Sequence, residues 1–207
     1  MLVKEDKQKI ENYLDKIIAG LREDAKKYAF SGMSNQQIID KVTNATVNKL
    51  TPESKMIMSS VYNMLSKKTL SGALYEDSEN KARFYQADIL KELTGHFVFD
   101  VPNHIDYEEC KKEVDKLVVG GAVSVVGVGG VLSITLNSWM PICIAAVIAA
   151  IMAVVLSSKG KSANKEDIGG LITNYFDSVR ISLIKWIENI EKYYDTRVAE
   201  IEEGMKA

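Results

Sequence analysis

Residues 117–158, "LVVGGAVSVVGVGGVLSITLNSWMPICIAAVIAAIMAVVLSS", contain no charged side chain over 42 positions. Lys116 directly precedes this uncharged segment and Lys159 directly follows it. The residues on either side are rich in charge and show the spacing of amphipathic helices. The chain therefore consists of a long apolar segment placed inside a polar, helical protein.

The uncharged segment divides into two arms at a turn-forming sequence. Residues 117–136 form a first arm of 20 residues and residues 139–156 a second arm of 18. As helices they would each be about 27 to 30 Å long, close to the thickness of the hydrocarbon core of a bilayer. We expect a membrane-inserting hairpin that includes Leu117, Val118, Gly120, Gly121, Gly127, Gly130, Leu132, Leu136, Trp139, Ile144, Ile148, Ile151 and Leu156, with a tip at Asn137, Ser138, Trp139 and Pro141.

Charge and residue size further define this hairpin. Lysines flank both arms and the tip carries none, which favours both ends on one side of a membrane. Small residues predict a face for close helix packing, with Ser124 on the first arm and Ala146, Ala149, Ala150 and Ala153 on the second. The first arm is rich in valine and glycine, so a β-hairpin in a soluble state is an alternative.

The polar regions, 1–116 and 159–207, are predicted to be amphipathic helices. Apolar spacing predicts a helix over 4–29, and Ser34 with Gln37 predicts a capping box for the next one. Thr51-Pro52-Glu53 predicts a new helix start, and a further helix is expected over 78–93, ended by Gly95. A long C-terminal helix is predicted by a stripe at Ile168, Leu171, Ile172, Tyr175, Phe176, Val179, Leu183, Ile187, Ile190, Tyr194, Val198 and Ile201.

Composition excludes several classes of function. The chain has 26 basic and 28 acidic residues, a balance that gives no reason to expect nucleic acid as a partner. The two cysteines, Cys110 and Cys143, lie in unlike surroundings, which argues against a structural disulfide. The first residues are charged and lack an apolar stretch, so we expect synthesis in the cytoplasm without a signal peptide.

No motif in the sequence predicts catalysis, a cofactor or a metal. Gly160-Lys161-Ser162 resembles the end of a phosphate-binding loop, but Val155 occupies the position where that motif needs glycine. His96 and His104 show no recognised metal-ligand spacing, although protonation of either would sense acid near the uncharged segment. We therefore expect a protein that is not an enzyme.

The two-armed uncharged segment resembles the hydrophobic hairpin of α-helical pore-forming toxins, namely colicin pore-forming domains and the cytolysin A group. This resemblance covers about a fifth of the chain and rests on pattern. It implies an all-α fold, a helical bundle of amphipathic helices around a central hydrophobic hairpin that is partly a β-tongue in the soluble state. It also implies a pore-forming effector that acts on a target membrane as a homo-oligomer, with a lipid bilayer and a neutralising or delivery protein as partners.

Two other interpretations fit the same sequence. A resident membrane protein would use the hairpin as an anchor for a cytosolic helical scaffold. A soluble helical adaptor would keep the hairpin buried permanently in its core. Solubility without detergent and leakage from vesicles distinguish the three.

Overall fold

A computed structural model describes residues 1–29, 31–98 and 165–206, and the regular structure within these ranges is entirely helical. Within these ranges the α-helices are, in order, α1 (Lys4–Ala29), α2 (Asn35–Leu70), α3 (Ser78–Gln86), α4 (Ile89–His96) and α5 (Lys165–Lys206). A short 3-10 helix (Ala73–Glu76) lies between α2 and α3. The all-α prediction is confirmed for the described ranges. The predicted hairpin, its tip and its small-residue face lie outside them.

The first two helices begin where the sequence predicts. α1 has the predicted bounds, and a turn with Gly32 in the left-handed region (φ 76°) connects it to α2. Ser34 caps α2, because its hydroxyl accepts a hydrogen bond from the Gln37 backbone N–H at 3.3 Å. The Gln37 side chain in turn accepts from the Ser34 N–H at 3.0 Å. The predicted capping box is confirmed.

Proline 52 does not start a new helix, so that prediction is wrong. α2 runs through it without interruption for 36 residues. A proline at this position has no N–H to donate to the Asn48 carbonyl, which costs one hydrogen bond of the helix. The Pro52 side chain is exposed, whereas Ser54, Ile57 and neighbouring residues are buried. Packing of the flanking turns therefore outweighs the local preference for a break.

The single helix predicted over 78–93 is two helices in the structure. Asp77 caps α3 by accepting from the Glu79 N–H at 2.9 Å. The chain then breaks at Asp88, which has a positive φ of 45°. α4 follows and continues past Gly95 to His96, so Gly95 does not end it. The break lets Phe84 on α3 and Ile89 on α4 both reach the core.

Three long helices, α1, α2 and α5, pack against one another and form what we call the three-helix core. α1 contacts both α5 and α2. Ion pairs join Arg22 to Asp177 and Lys7 to Glu191, so α1 and α5 are antiparallel. Seven residues of the predicted stripe on α5 are buried, namely Tyr175, Phe176, Val179, Leu183, Ile187, Ile190 and Tyr194. Val198 and Ile201, nearer the end of the helix, are partly buried.

The shorter elements cover one end of the three-helix core. Tyr75 of the 3-10 helix packs edge-on against Phe84 of α3, with ring centroids 5.7 Å apart. Asn80 fixes this turn by donating from its side-chain amide to the Leu74 carbonyl at 2.9 Å. α4 then packs between α2 and the C-terminal half of α5. The chain thus reaches residue 98 beside α5.

Candidate functional site

The candidate site consists of the uncharged segment and the helices on either side of it. The structure describes the helices, and the uncharged segment lies outside the described residues. The membrane-inserting positions, from Leu117 to Leu156, and the tip at Asn137, Ser138, Trp139 and Pro141 all lie outside. The packing face of Ser124, Ala146, Ala149, Ala150 and Ala153 lies outside as well. The structure shows which contacts fix the end of α4 and which contacts fix α5, the helices on either side of the uncharged segment.

The end of α4 is fixed to the middle of α5 by aromatic side chains. The Trp186 indole donates a hydrogen bond from Nε1 to the Phe97 carbonyl oxygen at 3.3 Å. The Phe97 and Tyr193 rings meet edge-on with centroids 5.5 Å apart, and Phe97 is only 3% exposed. Val98, the next residue, is exposed. The chain therefore leaves the described structure from a fixed point on α5.

One turn earlier, a polar network also joins α4 to α5. The Arg197 guanidinium donates to both oxygens of the Glu92 carboxylate, at 2.7 and 2.9 Å. The Tyr193 hydroxyl donates to the same carboxylate at 3.1 Å. The hydrogen bonds from Arg197 lower the pKa of Glu92, and the same contact raises the pKa of Arg197. Such a bidentate pair is stronger than an arginine–carboxylate pair joined by a single hydrogen bond.

The first of the two histidines, His96, lies at the junction of α4 and α5. Its ring lies 5.3 Å from the Tyr193 ring. His96 is also among the groups that lower the pKa of Glu92, after the hydrogen bonds from Arg197. The expectation that the histidines sense acid stays a prediction. The second histidine, His104, lies outside the described residues.

Ion pairs connect α5 to α1 between Asp177 and Glu191 of α5. Arg180 donates to Asp15 at 2.5 Å, and Arg22 pairs with Asp177 about one turn earlier on α5. These side chains are between about a third and a half exposed. Such pairs individually add little stability, but they depend on charge and on salt.

At the other end of the α1–α5 contact, Glu191 is a buried carboxylate. Its side chain is only 3% exposed and lies 3.6 Å from the Lys7 ammonium. The backbone N–H of Leu2 also donates to it, at 3.4 Å. The Met1 ammonium pairs with Asp195 at 2.8 Å. A buried carboxylate needs such partners, because an isolated one would be strongly disfavoured.

A shallow apolar groove lies between α1 and α2. It has a volume of about 280 Å³ and is lined by Lys9, Ile10, Tyr13, Met56, Ile57 and Met64 among others. Met56 is 59% exposed at its rim. Tyr13 closes one side by donating a short hydrogen bond to Glu53 of α2, which lowers the pKa of that carboxyl. Its shape and lining suit a flexible apolar side chain better than a polar substrate.

Sequence reasoning missed two features of this framework. Trp186 was not among the stripe residues, although it lies three residues after Leu183 on the same face. Glu191 was not predicted to be buried, although it follows Ile187 by four residues and so shares its face. Helical periodicity predicts that both positions are buried if charged and aromatic residues are counted along with the aliphatic ones.

Two other kinds of site are absent from the described ranges. No group of three or more His, Cys, Asp or Glu side chains there could hold a metal ion. Nor does any helix within these ranges combine the length and the apolar character needed to cross a bilayer. No protein-family model, curated protein or solved structure matches this chain.

Proposed function

We propose that this protein is a membrane-permeabilising effector that acts without catalysis by inserting residues 117–158 into a bilayer. The observation that carries the proposal is the 42-residue uncharged segment, bounded by Lys116 and Lys159. The described helices on either side support it, because they supply a folded, polar-surfaced framework attached to both ends of that stretch.

The energetics of transfer favour the bilayer. Eleven of the 20 residues in the first arm are Leu, Ile or Val. Each contributes about −0.3 to −0.6 kcal/mol on an insertion scale, so the arm gains several kcal/mol in lipid. Its glycines and hydroxyls offset part of this gain. In lipid both arms must satisfy their backbone groups internally, which favours helices there.

In the proposed mechanism, the amphipathic helices surround the hairpin in a soluble state and release it at a target membrane. The uncharged tip then crosses the bilayer, while the lysines next to the arms stay at the entry surface. Small residues on both arms allow close packing between arms and between copies, so several chains assemble a pore. A neutralising or delivery protein would control when this happens.

The experiment that tests the proposal combines partition with leakage. Protein purified without detergent is mixed with dye-loaded phospholipid vesicles, and both flotation with the vesicles and dye release are measured. We expect flotation together with release that rises steeply with protein concentration. Protein that requires detergent throughout would point to a resident membrane protein instead. Soluble protein that neither floats nor releases dye would point to an adaptor.

The two tryptophans supply an independent readout of insertion. Trp139 belongs to the predicted tip and Trp186 to α5, and the chain has no others. In a Trp186→Phe variant, the emission of Trp139 should shift to shorter wavelength when vesicles are added. In a Trp139→Phe variant, Trp186 reports on the helical framework alone. An unchanged Trp139 spectrum alongside dye release would rule out insertion of the tip.

A further inference from the structure

Charge is distributed unevenly among the helix–helix contacts. Between the side chains that the structure describes, five ion pairs join different parts of the fold, and all five include a residue of α5. Four of them run along α1 and the residues before it, and the fifth is the Glu92–Arg197 pair with α4. α5 is thus the helix whose docking depends most on charge.

The contact between α1 and α2 is of a different kind. Its core is apolar, with Leu14 and Val61 both fully buried. The polar contacts between these two helices include the hydrogen bond from Tyr13 to Glu53 and the Lys41 ammonium, which lies over the Tyr28 ring at 5.8 Å from its centroid. A five-residue connection between Ala29 and Asn35 also keeps α1 and α2 together. These two helices therefore form a tightly connected pair, onto which α5 docks from a distant part of the sequence.

We propose that the α1–α5 contact is a releasable latch, in which α5 separates from α1 while α1 and α2 stay paired. This inference rests on the proposed function, since the latch would restrain the helix that begins seven residues after the end of the uncharged segment. The ion pairs at Arg22–Asp177 and Arg180–Asp15 supply the charge-dependent part of the restraint. The buried stripe of α5 supplies the larger apolar part, which makes release a rare event in the resting state.

Reversing and then swapping one ion pair tests the latch directly. Arg180→Asp places a carboxylate opposite Asp15 and near Glu11 and Asp177, which also face Arg180. We expect dye release about fivefold faster, with hydrogen exchange in α5 rising before that in α2. Adding Asp15→Arg should restore most of the wild-type behaviour. Lys27→Asp, which disrupts the pair with Asp24 inside α1, is the matched control and should change neither measurement.

A cross-link tests the same latch without altering its charges elsewhere. Cysteines replace Asp15 and Arg180 in a chain carrying Cys110→Ser and Cys143→Ser, and a short bis-maleimide reagent joins them. The cross-linked protein should still bind vesicles but release dye at least tenfold more slowly than the same protein untreated. Cysteines at Asp24 and Lys27, cross-linked within α1, serve as the control.

The outcomes separate the latch from the function on which it rests. Equal dye release from the cross-linked and untreated proteins would overturn the latch. Exchange that rises in α1, α2 and α5 together after Arg180→Asp would overturn it as well. If the wild-type protein releases no dye, the proposed function fails. Hydrogen exchange of the charge-swap series, measured without vesicles, then still decides whether α5 separates alone.

Discussion

The indole nitrogen of Trp186 donates a hydrogen bond to the carbonyl oxygen of Phe97, 3.3 Å away, and ties the end of α4 to the middle of α5. Both side chains are buried, at 5% and 3% exposure. Lys165, where α5 begins, precedes Trp186 by 21 residues, or about 30 Å along the helix axis. Phe97 therefore lies beside the middle of α5, whereas Lys165 is the first residue of that helix. These two points on α5 are about 30 Å apart.

Trp186→Phe should destabilise the protein. The variant loses the indole N–H and part of a large buried ring, and we expect a fall of about 1 to 3 kcal/mol in the free energy of unfolding. Urea unfolding followed by far-UV circular dichroism measures this. Tyr85→Phe, at an exposed position, is the control and should stay within about 0.5 kcal/mol. Equal effects of the two changes would mean that the Trp186–Phe97 contact is not important.

Stability should fall in acid because of Glu92. Its pKa is lowered in the folded protein by the hydrogen bonds from Arg197. The unfolded chain, with an ordinary Glu pKa of about 4.3, therefore binds the proton first as the pH falls. The stabilisation is fully present above that value and is lost as the pH drops through the lower folded pKa. Glu92→Gln should flatten this part of a stability–pH curve measured by urea unfolding between about pH 6 and 3.

Pro52→Ala should stabilise the protein. An alanine restores the N–H that can bond to the Asn48 carbonyl, and it removes the clash of the proline ring within the helix. Greater freedom of the unfolded chain offsets part of this gain, so we expect about 1 to 2 kcal/mol. Thermal unfolding gives the measurement, and Lys55→Ala at another exposed position of α2 gives the control. A lower melting temperature for Pro52→Ala would show instead that Pro52 stabilises the folded protein.

A charge at the predicted tip should block permeabilisation. Asn137→Lys requires a cation to cross the hydrocarbon, which costs about 2.5 to 3.5 kcal/mol at mid-depth. Dye release should then fall about a hundredfold, while Asn137→Gln should leave it near the wild-type rate. Ala149→Leu should act differently, because it allows entry but hinders close helix packing. We expect it to retain binding to vesicles and to lose leakage.

Local signals in the sequence predicted part of the fold correctly. The bounds of α1, the Ser34–Gln37 capping box and the buried stripe of α5 all follow from spacing and side-chain chemistry, which act over a few residues. The breaks were predicted less well. Whether Pro52 ends a helix depends on how strongly the turns on both sides pack, and periodicity does not measure that. The break at Asp88 depends on the partners that Phe84 and Ile89 find in the core.

The framework of the candidate site depended on contacts between distant residues. Glu92 and Arg197 are 105 positions apart, and Trp186 and Phe97 are 89 apart. No local pattern connects such pairs, because each is set by how α4 lies on α5. The uncharged segment, in contrast, is evident from the sequence alone, and its role as a membrane-inserting hairpin stays a prediction.

The antiparallel pairing of α1 with α5 has a consequence for how the chain can change over time. Arg180 on α5 pairs with Asp15 on α1 across 165 positions of the sequence. The entropy cost of bringing two distant segments together grows only with the logarithm of the number of residues between them, so halving that number changes the folding free energy by about 0.6 kcal/mol. The pairing of α1 with α5 should therefore tolerate wide variation in how many residues separate the two helices along the chain.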